Sequence, residues 1–368
     1  MKTIGLYIHI PFCRSKCPYC DFYSLTRRED LFPSYARAVT GRLRALAARY
    51  RVQADTLYLG GGTPSLIGGE LLAEIITAAR ENFQISPEAE ITVECNPSSC
   101  DRELFEQLHA AGVNRISLGM QSAVDRERQK LGRRSGRAEV EQCIGWAREA
   151  GIENISLDLM LGVPGQTVES VTESVQFCAA CGVTHVSGYL LKIEEGTPFY
   201  ARADRLELPD EDETCAIYYA ACDALESAGY MQYEISNFAK PGFESRHNLK
   251  YWNDEEYLGV GPAAHSFING KRFYNPRDIE AFLSGAEPVD DGAGGDFEEY
   301  AMLRLRLCAG LEDGAVRARF GHAIPAELYA RAEELRESGL AACDEKGIRL
   351  TREGFLLSNS AIAYLLYG

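Results

Sequence analysis

The sequence predicts an α/β fold: an open, partial (β/α)6 TIM-like barrel followed by a small α+β domain of winged-helix-like shape at the carboxy terminus. Short β-rich runs alternate with longer helical patterns up to about residue 205. Such alternation is typical of a parallel sheet with right-handed crossovers. Six strand–helix units are two short of the eight that close a barrel, so we expect an open one.

The strands are predicted from runs rich in β-branched and aromatic residues, and the helices from apolar residues at helical spacing. Several helical patterns end at a glycine, which terminates a helix readily. The predicted strands are residues 4–10, 55–61, 90–96, 114–120, 154–160 and 184–190. The predicted helices between them are residues 32–50, 71–83, 101–112, 138–151 and 168–182.

The chain divides into three predicted regions. Residues 1–205 form the barrel, residues 206–290 a connecting α+β segment, and residues 291–368 the carboxy-terminal domain. The glycine- and aspartate-rich loop EPVDDGAGGD separates the last two. From Asp296 onward twelve acidic residues stand against nine basic ones, so we expect this domain to pack or dock rather than to bind DNA.

The net charge and the distribution of apolar residues disfavour some classes of function. The formal net charge of −16 disfavours general binding of nucleic acid, which needs clustered lysine and arginine. An anionic ligand would need a local basic pocket or backbone amides. We find no apolar stretch long enough for an integral membrane segment and no signal peptide, which predicts a cytoplasmic protein.

Three of the twelve cysteines, Cys13, Cys17 and Cys20, lie close together directly after the first strand. Structural zinc usually takes two separated pairs of ligands, and here only His9 or Asp21 stands ready as a fourth ligand. A cluster of four irons held by three thiolates leaves one iron open for another ligand. We predict the cluster; the nine other cysteines, including the C-x-x-C pair Cys178 and Cys181, are predicted to be reduced core thiols.

Polar and glycine-rich residues also follow the next four strands, in the stretches GGGTP, ECNP, GMQS and DLMLGVPGQT. In barrels and open parallel sheets the chemistry takes place at the carboxyl ends of the strands. We therefore expect the cysteine loop and these four stretches to line one site.

The spacing C-x3-C-x2-C with Tyr19 before the last cysteine resembles the signature of the radical S-adenosylmethionine (SAM) enzymes. Gly60 to Pro64 resembles the glycine turn of the same family. The resemblance implies a [4Fe-4S] cluster on the three cysteines, with its open iron chelating SAM. Electron transfer from that cluster to SAM would then yield a 5′-deoxyadenosyl radical.

The stretches YIHIPFC, LYLGGGTPS, LGMQS, LDLMLGVPGQT and LTREGF are similar to the oxygen-independent coproporphyrinogen III oxidase (HemN) group. This resemblance runs along nearly the whole chain, and for Lys192 the contact it implies is through the backbone. The SAM contacts that it implies are Tyr7, Tyr19, Gly61, Gly62, Thr63, Glu94, Gln121, Arg133, Asp158 and Lys192.

Two departures from the oxidase pattern favour its sister group, the haem chaperones of the HemW type. Phe22 occupies the position of a fourth cysteine in the oxidases, and the long segment that precedes their first strand is missing before Ile4. The resemblance to this sister group implies haem binding and delivery of haem to an acceptor protein, for which it suggests a membrane-bound respiratory enzyme. The alternative is a radical SAM oxidase acting on a porphyrinogen.

The stretch HNLKYW, residues 247–252, matches a motif that this resemblance associates with haem. His247 could ligate the iron, while Arg246 or Lys250 meets a propionate. Alternatively, these residues lie in a loop that pins the carboxy-terminal domain to the barrel. His265 is a second candidate ligand, and His9 is expected to have a structural role beside the cluster.

Overall fold

The structure, a computed structural model, describes residues 2–368. Its first part alternates strands and helices as the sequence predicts. The strands of this part are β1 (Thr3–Ile10), β2 (Phe12–Cys13), β3 (Leu25–Thr26), β4 (Gln53–Gly61), β5 (Glu90–Cys95), β6 (Arg115–Gln121), β7 (Asn154–Leu161) and β8 (His185–Leu190). Its helices are α1 (Phe32–Tyr50), α2 (Gly69–Phe83), α3 (Arg102–Ala110), α4 (Asp125–Lys130), α5 (Arg137–Glu149) and α6 (Val168–Ala180).

Six of these strands form a parallel array in the order β1-β4-β5-β6-β7-β8, and this confirms the predicted partial barrel. The helices pack their apolar faces against it around a buried core that includes Leu6, Leu57 and Leu157. Glycines with positive φ follow α3, α5 and α6, as expected for helix ends.

The middle of the chain, residues 206–290, supplies strands to both edges of the same sheet. Strand β11 pairs in parallel with β1, so the sheet holds seven parallel strands rather than the six predicted. Its four residues are too few for a clear pattern. The elements of this part are α7 (Glu211–Ser227), β9 (Met231–Gln232), β10 (Asn237–Ala239), α8 (Arg246–Trp252), β11 (Tyr257–Val260), β12 (His265–Ile268), β13 (Lys271–Tyr274), α9 (Ile279–Leu283) and β14 (Val289–Ala293).

The complete sheet is open, with β14 at one edge and β9 at the other. The carboxy-terminal part has its own small sheet, in the order β15-β17-β16, and its own apolar core around Leu311, Val316 and Leu365. This arrangement agrees with the predicted α+β domain. Its elements are α10 (Phe297–Arg304), β15 (Leu311–Glu312), α11 (Asp313–Phe320), α12 (Ala326–Glu337), β16 (Ala341–Asp344), β17 (Gly347–Leu350), α13 (Arg352–Leu356) and α14 (Ser358–Tyr367).

The stretch HNLKYW forms helix α8, where the sequence argument placed a loop. Ser245 caps the helix, since its hydroxyl accepts a hydrogen bond from the backbone N–H of Asn248. The carboxylate of Glu90 on β5 accepts hydrogen bonds from the backbone N–H groups of Arg246 and His247, both at 3.0 Å. A carboxylate at a helix amino terminus is favourable, and here it fixes α8 to the barrel.

The other end of α8 binds the carboxy-terminal domain. Asp254, whose side chain is fully buried, pairs with Arg319 at 2.5 Å and with Arg272 at 3.0 Å. Arg304 donates to the side chain of Asn253, and the guanidinium of Arg306 lies over the Trp252 ring at 5.9 Å. The contacts expected from the pinning alternative are therefore present.

All twelve cysteines, which lie within residues 2–368, are free. Cys178 is buried on the core face of α6, and burial raises the pKa of its thiol and raises that of Cys181 to about 11. Neither thiol is activated, so the structure gives the C-x-x-C pair no redox character. Among the described residues, no helix has both the length and the apolar character needed to cross a bilayer.

We predict that Asp254→Asn lowers the free energy of unfolding by about 2–3 kcal/mol, because it removes the charge that two partly buried guanidinium groups share. Chemical denaturation would measure it. The matched control is Asp223→Asn. Asp223 also meets the carboxy-terminal domain, through Arg352, but it is 70% exposed, so we expect a loss below about 1 kcal/mol. Equal effects of the two substitutions would contradict the role given to Asp254.

Candidate functional site

One cavity of about 760 Å³ lies at the carboxyl ends of the parallel strands. The loops after β1 and β4 and the ends of β5 to β8 line it, as the sequence argument expects. Of the residues predicted for the site, Cys13, Cys17, Tyr19, Cys20, Gly61, Gly62, Thr63, Glu94, Gln121, Arg133, Asp158 and Lys192 line this cavity. Tyr7, His247 and the second haem-ligand candidate, His265, do not.

The three thiols face the cavity from one loop. The Sγ atom of Cys13 accepts a hydrogen bond from the Thr63 hydroxyl at 3.5 Å, and that of Cys17 accepts one from Arg133 at 3.7 Å. No three metal-ligating side chains within residues 2–368 are close enough to hold a single ion. In a four-iron cluster each thiolate binds a different iron, so the sulfurs stand farther apart. The donor set therefore fits a cluster better than it fits one ion.

The zinc alternative fails on its fourth ligand. Nε2 of His9 lies 2.8 Å from the carbonyl oxygen of Tyr23, and Nδ1 lies 3.1 Å from the Tyr7 hydroxyl. Burial lowers the pKa of His9 to about 4, so its ring is neutral and both nitrogens are engaged. Asp21 faces Arg277 instead. His9 thus has the structural role that the sequence predicts.

The glycine turn after β4 is hydrogen-bonded to the cysteine loop. The N–H groups of Gly62 and Thr63 donate to the carbonyl oxygens of Ile10 and Phe12, at 2.9 and 2.7 Å. Gly61 has a φ of +108°, and a Cβ atom there would lie 2.4 Å from the His9 ring. The packing of the protein itself therefore requires glycine at position 61.

Glu94 and Asp158 have the polar partners expected for carboxylates at the ends of apolar strands. Glu94 accepts hydrogen bonds from the Tyr58 hydroxyl at 2.8 Å and from the Gly61 N–H at 2.9 Å. Asp158 accepts one from Ser117 at 2.9 Å. Burial raises the pKa of Glu94 to about 7 and also raises that of Asp158. A cationic ligand in the cavity would favour the ionised form of both groups.

Gln121 and Arg133 shape the wall opposite the glycine turn. Gln121 adopts a φ of +73°, in the left-handed region, where β6 shifts its register against β7. Arg133 donates to the carbonyl oxygen of Gly119 at 2.5 Å as well as to Cys17. The left-handed conformation of Gln121 is rare for residues other than glycine, and residues that adopt it are concentrated at functional sites.

His247 lies beneath the cavity with both ring nitrogens engaged. Nδ1 is 2.8 Å from the hydroxyl of Thr56 on β4, and Nε2 is 2.8 Å from the hydroxyl of Tyr251. The ring is 1% exposed and stacks on Tyr58, and the ring of Tyr7 packs beside both of them. Burial lowers the pKa of His247 to about 3. In this geometry no nitrogen of His247 is free to ligate iron.

The sequence argument missed several residues that line the cavity. The member of HNLKYW that reaches it is Asn248, one position after the histidine. Side chains on a strand alternate between its faces, and parallel pairing aligns Glu94 with Ser117 and Asp158 with Ser187, so the others lie on the same face of the neighbouring strands. These others are Tyr58, Arg115, Ser117, Ser187 and Tyr189.

The charge of the cavity differs in sign from that of the chain. Seven basic residues and four acidic ones line it, in a protein of net charge −16. The local basic pocket that an anionic ligand would need is therefore present. Phe22 and Tyr189 also line the cavity, and they are 66% and 40% exposed, so both leave aromatic surface that no other part of the protein covers.

Comparisons with known proteins show the fold and the family of this chain. The model of the Radical SAM superfamily matches residues 7–178, and that of the HemN C-terminal domain matches residues 296–357. In solved structures, the coproporphyrinogen III oxidase HemN from Escherichia coli superposes with a TM-score of 0.86. That match covers 100% of this chain and 90% of the other, at 23% identity, so it supports the shared fold.

Curated relatives are similar over nearly the full length. "Heme chaperone HemW" from Mycobacterium tuberculosis (strain H37Rv) is 36% identical over 379 residues, covering 99% of this chain and 95% of the relative. The protein of the same name from Bacillus subtilis (strain 168) is 34% identical and covers 98% of both chains. The one from Escherichia coli (strain K12) is 35% identical and covers 83% of both. The chain therefore belongs to the HemW family of radical SAM proteins.

Proposed function

We propose that this protein is a cytoplasmic haem chaperone that binds a [4Fe-4S] cluster, SAM and haem, and delivers haem to an acceptor protein. The observation that carries the proposal is the cavity of about 760 Å³ at the carboxyl ends of the strands. It combines three thiols with a wall that carries seven basic residues and the exposed aromatic side chains of Phe22 and Tyr189, in a chain whose full-length relatives are named haem chaperones. The acceptor suggested by the family resemblance is a membrane-bound respiratory enzyme.

Different residues of the cavity would bind the cluster and SAM. Cys13, Cys17 and Cys20 would hold three irons of the cluster, and the remaining iron would meet SAM. Such a cluster supplies single-electron reduction of SAM when both are bound. The SAM contacts proposed for this chain are the residues that the sequence argument named, with Tyr7 acting from behind the wall through His9.

The charged residues that line the cavity complement the charges of the cluster, SAM and haem. A cluster held by three thiolates is anionic, and so are the propionates of haem, whereas the sulfonium of SAM is a cation. The seven basic residues favour the anions, and Glu94 and Asp158 favour the cation. The exposed rings of Phe22 and Tyr189 offer apolar faces to a flat macrocycle.

For the haem iron we propose His265 as the ligand in preference to His247. His265 is exposed at the first residue of β12, and its ring stacks on Tyr274 at 5.3 Å. Arg277, in the loop that follows β13, donates to the carbonyl oxygen of Asp21 at 2.5 Å. This contact joins the residues that follow β13 to the cysteine loop, and His265 pairs with Tyr274 at the end of β13. His265 thus belongs to the part of the middle segment next to the cysteine loop, although it does not line the cavity itself.

The second candidate function is a radical SAM oxidase that acts on a porphyrinogen. The same cavity would serve it, and the fold is shared with HemN. Phe22 speaks against this function, because it stands where the oxidase pattern has a cysteine. The two functions differ in whether a porphyrinogen is decarboxylated.

We predict that the anaerobically reconstituted protein holds about four irons per chain and that Cys17→Ala loses them, as measured by iron and sulfide content and absorption. Cys178→Ala, which removes a buried thiol from the core, is the control and should keep the cluster. The loaded protein, given reductant, SAM and coproporphyrinogen III, should form no vinyl product. Formation of vinyl product would establish the oxidase instead.

We predict that affinity for SAM rises roughly tenfold from pH 6 to pH 8. With a pKa of about 7, Glu94 is mostly protonated at pH 6 and mostly ionised at pH 8, and only the carboxylate attracts the cation. Equilibrium dialysis would measure the dissociation constants. In Glu94→Gln the affinity should be weak and lose this pH dependence. A wild-type profile parallel to that of Glu94→Gln would remove Glu94 from the SAM site.

We predict that His265→Ala weakens the Soret change on haem titration at least tenfold, because the iron loses its protein ligand. His247→Ala should leave that titration close to wild type. It should instead lower the free energy of unfolding by about 2–4 kcal/mol, since Thr56 and Tyr251 lose a buried hydrogen-bond partner. The reverse pattern would assign the iron to His247, as the motif first suggested.

A further inference from the structure

Arg115 has an environment that neither the fold nor the proposed SAM contacts explain. It lies at the start of β6, is 2% exposed and lines the cavity. Its Nε atom is buried without a hydrogen-bond partner, and within residues 2–368 its guanidinium forms no hydrogen bond or ion pair. Arginine stays charged in proteins, so this is a buried cation without a direct partner.

The carboxylates nearest to Arg115 are committed elsewhere. Both oxygens of Glu90 accept hydrogen bonds from the amino terminus of α8. Asp158 accepts from Ser117 at 2.9 Å. Their charges act on Arg115 from a distance, but neither forms an ion pair with it.

Other buried arginines of the chain have direct hydrogen-bond partners. Arg128 donates to the carbonyl oxygen of Ser122 at 2.8 Å. Arg304 donates to the carbonyl oxygen of Gly310 at 3.1 Å and to Glu312 at 2.8 Å. A guanidinium buried for structural reasons thus finds partners in this protein, whereas that of Arg115 faces the cavity. Asn248 lines the same cavity without a side-chain hydrogen bond in the described part of the chain.

We propose that Arg115 anchors a carboxylate of the molecule held in this cavity. The planar guanidinium matches a carboxylate with two parallel hydrogen bonds, and burial strengthens the pairing. Two guests could carry that group: a porphyrin through a propionate, or SAM through its methionyl carboxylate. The inference rests on the proposed function, which brings both guests to this cavity.

The test compares wild type with Arg115→Met and Arg115→Lys on cluster-loaded protein. Haem and haem dimethyl ester are titrated by the Soret band, and SAM and decarboxylated SAM by equilibrium dialysis. If Arg115 binds a propionate, wild type prefers haem to its ester roughly tenfold or more, and Arg115→Met loses that preference. If it binds the methionyl carboxylate, Arg115→Met weakens SAM by the same factor and leaves decarboxylated SAM unchanged. Arg115→Lys should retain part of either preference.

A merely structural role would give a different pattern. We expect ligand-free Arg115→Met to melt at the wild-type temperature or above, since it removes an unpaired buried charge. Arg304→Met, which removes a fully partnered arginine, should melt lower and bind both ligands normally. Three results would overturn the proposal. Arg115→Met could keep the wild-type preference for each carboxylate ligand over its neutralised or decarboxylated analogue, or it could bind all four ligands equally weakly and melt at a lower temperature. The third such result is a wild type that binds neither haem nor SAM. Wild type that binds SAM but no haem would refute the haem function, and the SAM arm would still decide the role of Arg115.

Discussion

The parallel register of the strands is the constraint on which this protein depends. It holds side chains two residues apart on the inner face of each strand, and in this barrel that face is polar rather than apolar. Polar groups placed inside a fold need partners. At the deeper level they bond to one another or to the middle segment: Thr56 to His247, and Ser156 through His185 to Tyr233. At the level above, Glu94, Asp158 and Ser117 face the cavity, where a ligand can take part.

The same constraint explains how much of this arrangement the sequence predicted. Six strands and the loops that follow them were evident because each strand is long and each loop carries unusual residues. The thiols and most of the cavity wall could therefore be placed before the structure was known. Strand β11 was missed because four residues give no period, and helix α8 because seven residues make only about two turns, too few to show a helical period.

The position of His247 could not be predicted for a different reason. A histidine beside tyrosine and tryptophan suits an iron ligand and a buried hydrogen-bonded plug equally well, and only the tertiary partners distinguish them. Those partners are Thr56, which lies 191 positions earlier in the chain, and Tyr251, one helical turn away. Arg115 presents the opposite case. A charged residue opening an apolar strand was visible in the sequence, but its lack of a partner is a fact of three dimensions.

Helix α8 also gives the motif HNLKYW a physical meaning that does not require a bond to iron. Its first turn closes the bottom of the barrel through Glu90 and Thr56, and Asn248 extends that floor into the cavity. Its last turn leads into Asp254, which binds the carboxy-terminal domain through Arg319. A change in this helix would therefore disturb both the floor of the cavity and the contacts that hold the carboxy-terminal domain. For this reason, loss of haem after mutation of the motif is not by itself evidence that His247 ligates the iron.

The mouth of the cavity separates a carrier from an enzyme on physical grounds. An enzyme gains rate by enclosing its substrate, because exclusion of water and fixed orientation stabilise the transition state. A carrier has to release its cargo, and affinity differences between related complexes lie mostly in the dissociation rate. Phe22 lines the cavity and is 66% exposed, so a macrocycle resting on it would keep one face open. An open face limits buried area and leaves room for an acceptor to approach, which is the behaviour that transfer of haem requires.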